Sequence, residues 1–487
     1  MSLPRLADET LATLPPTVAR PAFDRTGTRI GIVHLGVGAF HRAHQAVYID
    51  DLLADDPDWA ICGVSLRNPD VRDALRPQDG LYTLALLDGG PSLHVIGALR
   101  EVLCAADERD AVLARLAHPD VRLVMLTVTE KGYCLSADGV DLAHPEIVRD
   151  LGTPAAPSSA IGVIVAGLAL RRGRGLPAYT VLSCDNLADN GGRLRRAVLQ
   201  YARQFDAGLA AWIDAHATFP RSMVDSITPA TDDALRADVD AALGLHDAWP
   251  VQREPYTQWV VEDAFCNGRP PLERAGVILS GDIAGWDRAK LRLLNGPHSA
   301  LAYLGRLLEL ETVSDAMRHP ALSAFVERLM REDIAPTLEA MNGFDPQAYI
   351  VAILDRFRNP AIRHRLGQIA WDGSQKIPVR LLGTITDARA AGRSVDRLCL
   401  PVAAWMHFVR RQAQAGVALD DPMADRLASV GATMIVDARQ DVTAILALDP
   451  VFDAVADDAR IVDALVRAYA ALGDATPADV ARVLAAA

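Results

Sequence analysis

The densest group of chemically able side chains lies in the run Lys290-Leu-Arg-Leu-Leu-Asn295-Gly-Pro-His298. On a regular helix, at about 100° per residue, Lys290, Asn295 and His298 fall within an arc of roughly 140° and can face one cleft. An amine, an amide and an imidazole suit the oxidation of an alcohol. The amine takes the hydroxyl proton as hydride leaves the carbon, and the amide N–H2 donates to the developing oxyanion. A solvated helix face has the same spacing, so spacing alone does not decide. Composition adds weight: of 49 lysines and arginines only Lys131, Lys290 and Lys376 are lysine. A lysine can become a neutral base, whereas arginine stays charged.

A second candidate is Gly36-Val37-Gly38-Ala39-Phe40-His41, which follows the apolar run Arg29–Leu35 and opens a helical pattern. Glycines at the first two positions of a dinucleotide fingerprint allow a tight turn and close approach of a pyrophosphate, and the following helix offers free N–H groups. The third glycine is replaced by His41. Beyond the next apolar run stand Arg67, Asn68, Pro69 and Asp70. An acidic residue there can bind ribose hydroxyls and repel a 2′-phosphate, so Asp70 favours NAD over NADP. Arg67 pulls the other way, and Asp70 can equally be a loop or cap residue. A third polar cluster, Ser183-Cys184-Asp185-Asn186-Leu187-Ala188-Asp189-Asn190-Gly191, follows another apolar run; either asparagine can serve a ligand or a turn.

These residues need elements to hold them. Arg29–Leu35, Trp59–Leu66, Tyr82–Leu87, Leu93–Leu99, Val121–Val128 and Tyr179–Cys184 read as strands, and a turn at Asp88-Gly89-Gly90-Pro91 suggests a hairpin. Helical spacing follows Phe40, recurs near 160–172 and begins again at about Gly191. From about residue 284 the pattern is mainly helical to the end. The expectation is an α/β chain: a Rossmann-type dinucleotide-binding domain over 1–284 and a mostly α-helical substrate and catalytic domain over 285–487.

The net charge of −13 disfavours nucleic acid and anionic membrane surfaces as partners. No apolar run reaches the length of a membrane span, and a cytoplasmic location follows by default. The six cysteines are isolated, with no C-x-x-C pair and no H-E-x-x-H signature, so no metal site is expected. No tyrosine has a lysine four residues later, which sets aside that dehydrogenase pattern too.

The segments GVGAFHRAHQ, TVTEKGYC, SCDNLADNG, MVDSITP, Lys290–His298 and DGSQKIP together resemble the long-chain mannitol dehydrogenase family, in consistent order over most of residues 29–410. That family contains mannitol 2-dehydrogenases and fructuronate reductases. The resemblance implies a metal-free, NAD-dependent oxidoreductase of secondary alcohols, with the active site between two domains. By matched position it implies Lys290 as general base, Asn186 and Asn295 as an oxyanion pair, and His298 and Lys376 as substrate-positioning groups. Asp225 matches a supporting polar residue. Asp70 matches the NAD-selecting acid, with Gly36, Val37, Gly38, Ala39, Phe40, His41, Arg42 and Glu130 on the cofactor side. Two departures stand out. Pro297 replaces a usual serine and favours a kink before His298, and Asp287 replaces a glutamate.

The substrate branch is the finer question. The mannitol-oxidising branch carries an arginine eight residues before the motif lysine, where this chain has Gln368. The stretch from Arg363 to Lys376 and Glu130-Lys131-Gly132-Tyr133 look more like fructuronate reductases. A sugar acid brings a carboxylate, for which Lys131, Arg363 and Arg365 are candidate partners; each can also be a plain surface cation. The expectation is D-fructuronate reduced to D-mannonate, with mannitol 2-dehydrogenase or another polyol dehydrogenase as the alternative and a non-catalytic NAD-binding sensor as a remote one. Oligomeric state is left open, a monomer being compatible.

Overall fold

In the computed structural model, residues 3–89, 91–453 and 455–487 are described. The chain divides into two compact units, Met1–Ala284 and Gly285–Ala487. The first is built on a five-stranded, fully parallel sheet. Its strands are β1 (Ile30–Leu35), β2 (Ala60–Ser65), β3 (Leu99–Cys104), β4 (Leu123–Leu126) and β5 (Thr180–Ser183). They lie in the spatial order β5-β4-β1-β2-β3. Such strands are covered on both faces and so read as apolar runs. In β4 every residue is buried, and β1 is buried from Gly31 onward. The chain order reverses between β1 and β4, and in sheets of this kind ligands bind outside the carboxyl ends at that point.

One expected strand divides in two. The run read as Leu93–Leu99 is a strand over Pro91–Ile96 that pairs antiparallel with Tyr82–Leu87, in a separate four-stranded sheet. The backbone then crosses Gly97 and Ala98 and enters β3 in the parallel sheet. Charged Arg100 and Glu101 interrupt the apolar pattern of β3, which hid it. Of the expected turn, Gly90 lies outside the described residues. A three-stranded sheet of Ser222–Asp225, Gln258–Val261 and Ile278–Leu279 was also not expected, each strand being four residues or shorter.

The helix after the glycine turn is shorter than its pattern suggests. It comprises α1 (Ala39–Ala43), then a break at His44 (φ −122°, ψ −87°), then Gln45–Leu52. Further along the first unit come α2 (Pro145–Gly152), which carries Glu146 in its first turn, and α3 (Asn190–Arg203), which follows β5.

The second unit is helical. Its core helix is Asp396–Gln414, buried almost throughout from Leu398 to Arg410 and packed against Ala459–Leu472, Ala424–Thr433 and α4 (Gly296–Leu307). Three turns of π-helix interrupt the regular ones: Leu291–Asn295, Leu329–Ile334 and Pro378–Leu382. Prolines accompany all three, at Pro297, Pro336 and Pro378. At Pro297 and Pro336 the carbonyl four residues back lies within the widened turn, which relieves its clash with the proline ring. Among the described residues no helix is long and apolar enough to cross a membrane.

Candidate active site

The glycine turn is fixed from below. Gly36 has φ +95°, and a Cβ there would stand 2.1 Å from the Thr127 carbonyl oxygen. Only glycine fits. Thr127 Oγ1 donates to the Gly36 carbonyl (2.7 Å), which uses its single proton, so His34 Nε2 must donate to Thr127 across 2.8 Å. Gly38 differs: an added Cβ would meet nothing within 4 Å. The space beyond it is the cleft itself, about 530 Å3, lined among others by Gly36, Val37, Gly38, Arg67, Asn68, Asp70, Thr127, Thr129 and Lys131. A dinucleotide fits a cleft at the switch point whose second glycine has no packing reason to lack a side chain.

The far wall depends on Asp185. Its carboxylate accepts from the N–H groups of Val128 (2.9 Å) and Thr129 (3.0 Å) and from Tyr133 Oη (2.7 Å). These bonds hold Thr129 at φ +63°, a backbone rarely adopted outside glycine. Burial pushes the Asp185 carboxyl up, while Tyr133 and the two N–H groups act against it. Asn190, the first residue of α3, is buried and ties β5 to the strand Ser222–Asp225, donating to Ser183 O and Ser222 O and accepting from Ser222 N. Asp225, at that strand's end, is buried; Asn186, beyond β5, is exposed.

At the rim Asp70 is exposed, its carboxylate taking an N–H of Asn68 at 2.8 Å. Arg67 is ion-paired with Glu146 of α2. The opposing pulls of Asp70 and Arg67 therefore meet a third residue, 79 positions away in the chain, which sequence spacing could not reveal. Lys131 lines this same cleft, and Glu130 is exposed beside it on the turn Thr129–Gly132. Ala39 and Phe40 begin α1, whereas the side chains of His41 and Arg42 turn into the core. His41 stacks on His34 with ring centres 3.4 Å apart, and Arg42 donates to the Trp249 carbonyl at 2.6 Å.

In the helical unit the segment Lys290–His298 is not a regular helix. Ile283–Lys290 leads into the π-turn Leu291–Asn295, and the Gly296 N–H reaches back five residues to Leu291 O. A π-turn rotates each residue by only roughly 80°, so Asn295 lies about 40° from Lys290 and the three named groups share an arc of about 60°. The wider turn gathers them more tightly than the regular helix assumed from sequence. Lys290 is 8 % exposed, His298 7 %, and Asn295 half-buried. A second π-turn, Pro378–Leu382, packs against the first, and a Cβ on Gly296 would stand 3.1 Å from Arg380 O.

His298 sits among rings and cations. Phe357 lies 4.5 Å away and His364 5.3 Å, centre to centre. Burial holds its imidazole well below the usual range, and His364, Arg356 and Arg380 push the same way, so it is neutral at neutral pH. Its ring nitrogens make no hydrogen bond among the described residues. Lys376 Nζ donates to Ile369 O at 3.4 Å and stands 3.8 Å from Asp372; burial, then Arg380, lowers its pKa. Arg363 and Arg365 are exposed, and Arg365 lies 4.0 Å from Glu311, so neither joins the group around His298. Arg380, not singled out from sequence although it stands four residues beyond Lys376, does join it. Among the described residues no cluster of three or more His, Cys, Asp or Glu is placed to hold a metal ion.

Comparison with known proteins bears on this arrangement. Residues 30–274 match the mannitol dehydrogenase Rossmann domain, and residues 282–473 match the mannitol dehydrogenase C-terminal domain. The D-mannonate oxidoreductase of Escherichia coli (strain K12) is 42% identical over 463 residues, covering 93% of this chain and 95% of that protein. A mannitol 2-dehydrogenase of Pyrenophora tritici-repentis (strain Pt-1C-BFP) is 40% identical, over 84% of this chain and 75% of that one. The solved mannitol 2-dehydrogenase of Pseudomonas fluorescens, a ternary complex with NAD and D-mannitol, superposes with a TM-score of 0.80 at 39% identity, covering 99% of each chain.

Proposed function

The chain belongs to the mannitol dehydrogenase family, and on that premise we propose that it interconverts D-fructuronate and D-mannonate with NADH and NAD. Membership makes it an oxidoreductase of CH–OH groups on polyols or sugar acids, with a dinucleotide-binding Rossmann domain. The observation that carries the catalytic assignment is the π-turn, which sets Lys290, Asn295 and His298 on one side of their helix. The sugar-acid reading is supported by the likeness to a D-mannonate oxidoreductase and by Gln368 where the polyol branch has arginine.

NADH, which the turn Gly36-Val37-Gly38 and Asp70 would hold, would supply a hydride to the carbonyl carbon during reduction. Lys290 then donates a proton from Nζ to the oxygen that becomes the alcohol, and in oxidation the neutral amine takes it back. The side-chain N–H2 groups of Asn295 and, by motif position, Asn186 donate to that oxygen while it carries negative charge. His298, being neutral, holds a substrate hydroxyl by hydrogen bonding without adding charge. By motif position, Lys376 and, in the other unit, Asp225 are assigned to further hydroxyls. In the cofactor cleft Asp70 accepts from the adenosine ribose and disfavours a 2′-phosphate, and Arg67, neutralised by Glu146, offers that phosphate little.

The interconversion of mannitol and fructose is the second reading, supported by the likeness to the Pseudomonas mannitol 2-dehydrogenase. The catalytic assignment is tested with Lys290→Met, similar in length but without a transferable proton. Turnover should fall by about 10²–10⁴-fold with NADH binding retained. A variant keeping most of its turnover would remove Lys290 from the proton transfer.

A further inference from the structure

The group around His298 includes a guanidinium, that of Arg380, with no carboxylate paired to it among the described residues. Arg356, Lys376 and Arg380 stand with His298 and His364, and each imidazole is depressed by a neighbouring cation as well as by burial. Two carboxylates, Asp372 and Asp421, act on Lys376. Asp372 is 3.8 Å from Lys376, and Asp421 is committed to Ser374, accepting from its N–H and hydroxyl. Neither pairs with Arg380.

Arg380 is partly buried on the π-turn Pro378–Leu382, one turn beyond Lys376. Its Nη1 donates to Ser299 Oγ at 3.3 Å, which anchors the guanidinium beside His298. Among the described residues its Nε and Nη2 have no hydrogen-bond partner and it forms no ion pair. A guanidinium withdrawn from water without a counter-charge is costly, and the cost is offset when an anion arrives. Anchoring Nη1 leaves the Nε–Nη2 edge free. That edge presents two parallel N–H donors, the geometry that matches the two oxygens of a carboxylate. The exposed Arg363 and Arg365 lack this setting.

We propose that Arg380 recognises the substrate carboxylate and sets the preference for a sugar acid over an uncharged polyol. This rests on the reading of Lys290 and His298 as the reacting site. A polyol hydroxyl cannot compensate the guanidinium as a carboxylate does, so losing the charge penalises one substrate class and spares the other.

The test uses the full chain with Arg380→Met and Arg380→Lys, measuring kcat/KM with NADH on fructuronate and on fructose. Arg380→Met should lower the value for fructuronate by about 100-fold, mainly through KM, and change that for fructose by less than about 3-fold. Arg380→Lys should recover part of the loss, since a point charge replaces a fork. An equal fall on both substrates would make Arg380 a structural support for Ser299, and an unchanged fructuronate value would remove it from recognition; either result overturns the inference alone. A wild-type protein that turns over neither substrate while binding NADH would overturn the functional reading and this inference with it.

Discussion

The pairing of Arg67 with Glu146 makes cofactor choice a matter of three residues. Glu146→Gln removes the carboxylate that occupies Arg67 while keeping the shape of the side chain. Arg67 is 66% exposed, so the pair itself is worth little after solvent screening, about 0.2–1 kcal/mol. The gain comes from what the freed guanidinium can do. A hydrogen bond between charged groups adds about 1.5–3 kcal/mol, and the retained Asp70 opposes a phosphate nearby. The balance is about 1–2 kcal/mol in favour of NADPH, or roughly 5–30-fold in kcat/KM. Activity with NADH should change by less than about 2-fold, because Asp70, the residue assigned to the ribose, bonds to Asn68 and not to Glu146 among the described residues. Steady-state rates with both cofactors at one ionic strength read the ratio directly. Glu146→Gln with Asp70→Ala should shift the ratio further still. An unchanged NADPH/NADH ratio in the single variant would show that Arg67 does not face the 2′-position.

Other outcomes follow from the same geometry. Gly36→Ala must place a Cβ against the Thr127 carbonyl at a positive φ, so NADH binding should weaken by about 30-fold or more; normal binding would mean the turn is not where the dinucleotide lies. Burial depresses His407 to about 4. Between the ordinary histidine pKa and that value the unfolded chain takes a proton the folded chain refuses, so stability falls as pH drops from about 6.5 toward 4, by about 1.4 kcal/mol per pH unit. His407→Gln should flatten the acid side of a melting-temperature profile by that amount, and an identical slope would contradict the assignment.

The legible parts of the molecule were those that repeat locally. Apolar, β-branched runs marked four of the five parallel strands, because burial on both faces leaves no alternation to confuse them. β3 escaped because Arg100 and Glu101 break its run, and the strand Ser222–Asp225 because four residues carry too little pattern. The glycine turn and the Lys290–His298 segment were readable as residue types at a spacing. Their geometry was not: a π-turn leaves the sequence of apolar residues unchanged, and the proline at 297 hinted at irregularity without saying which kind. Pairings across the chain were out of reach. Nothing near Arg67 announces Glu146, and nothing near Thr129 announces that Asp185 holds its backbone. Arg380 had a usable signal, four residues beyond a lysine already singled out, but one arginine among so many cations does not stand out until its surroundings are known.

The most direct test of the central claim is kcat/KM of the purified protein with NADH on D-fructuronate against D-fructose. The expected result is a preference for fructuronate of about 100-fold, the same factor expected to vanish in Arg380→Met. Equal or greater efficiency on fructose would contradict the sugar-acid assignment and return the chain to the polyol branch, with Gln368 the residue to explain.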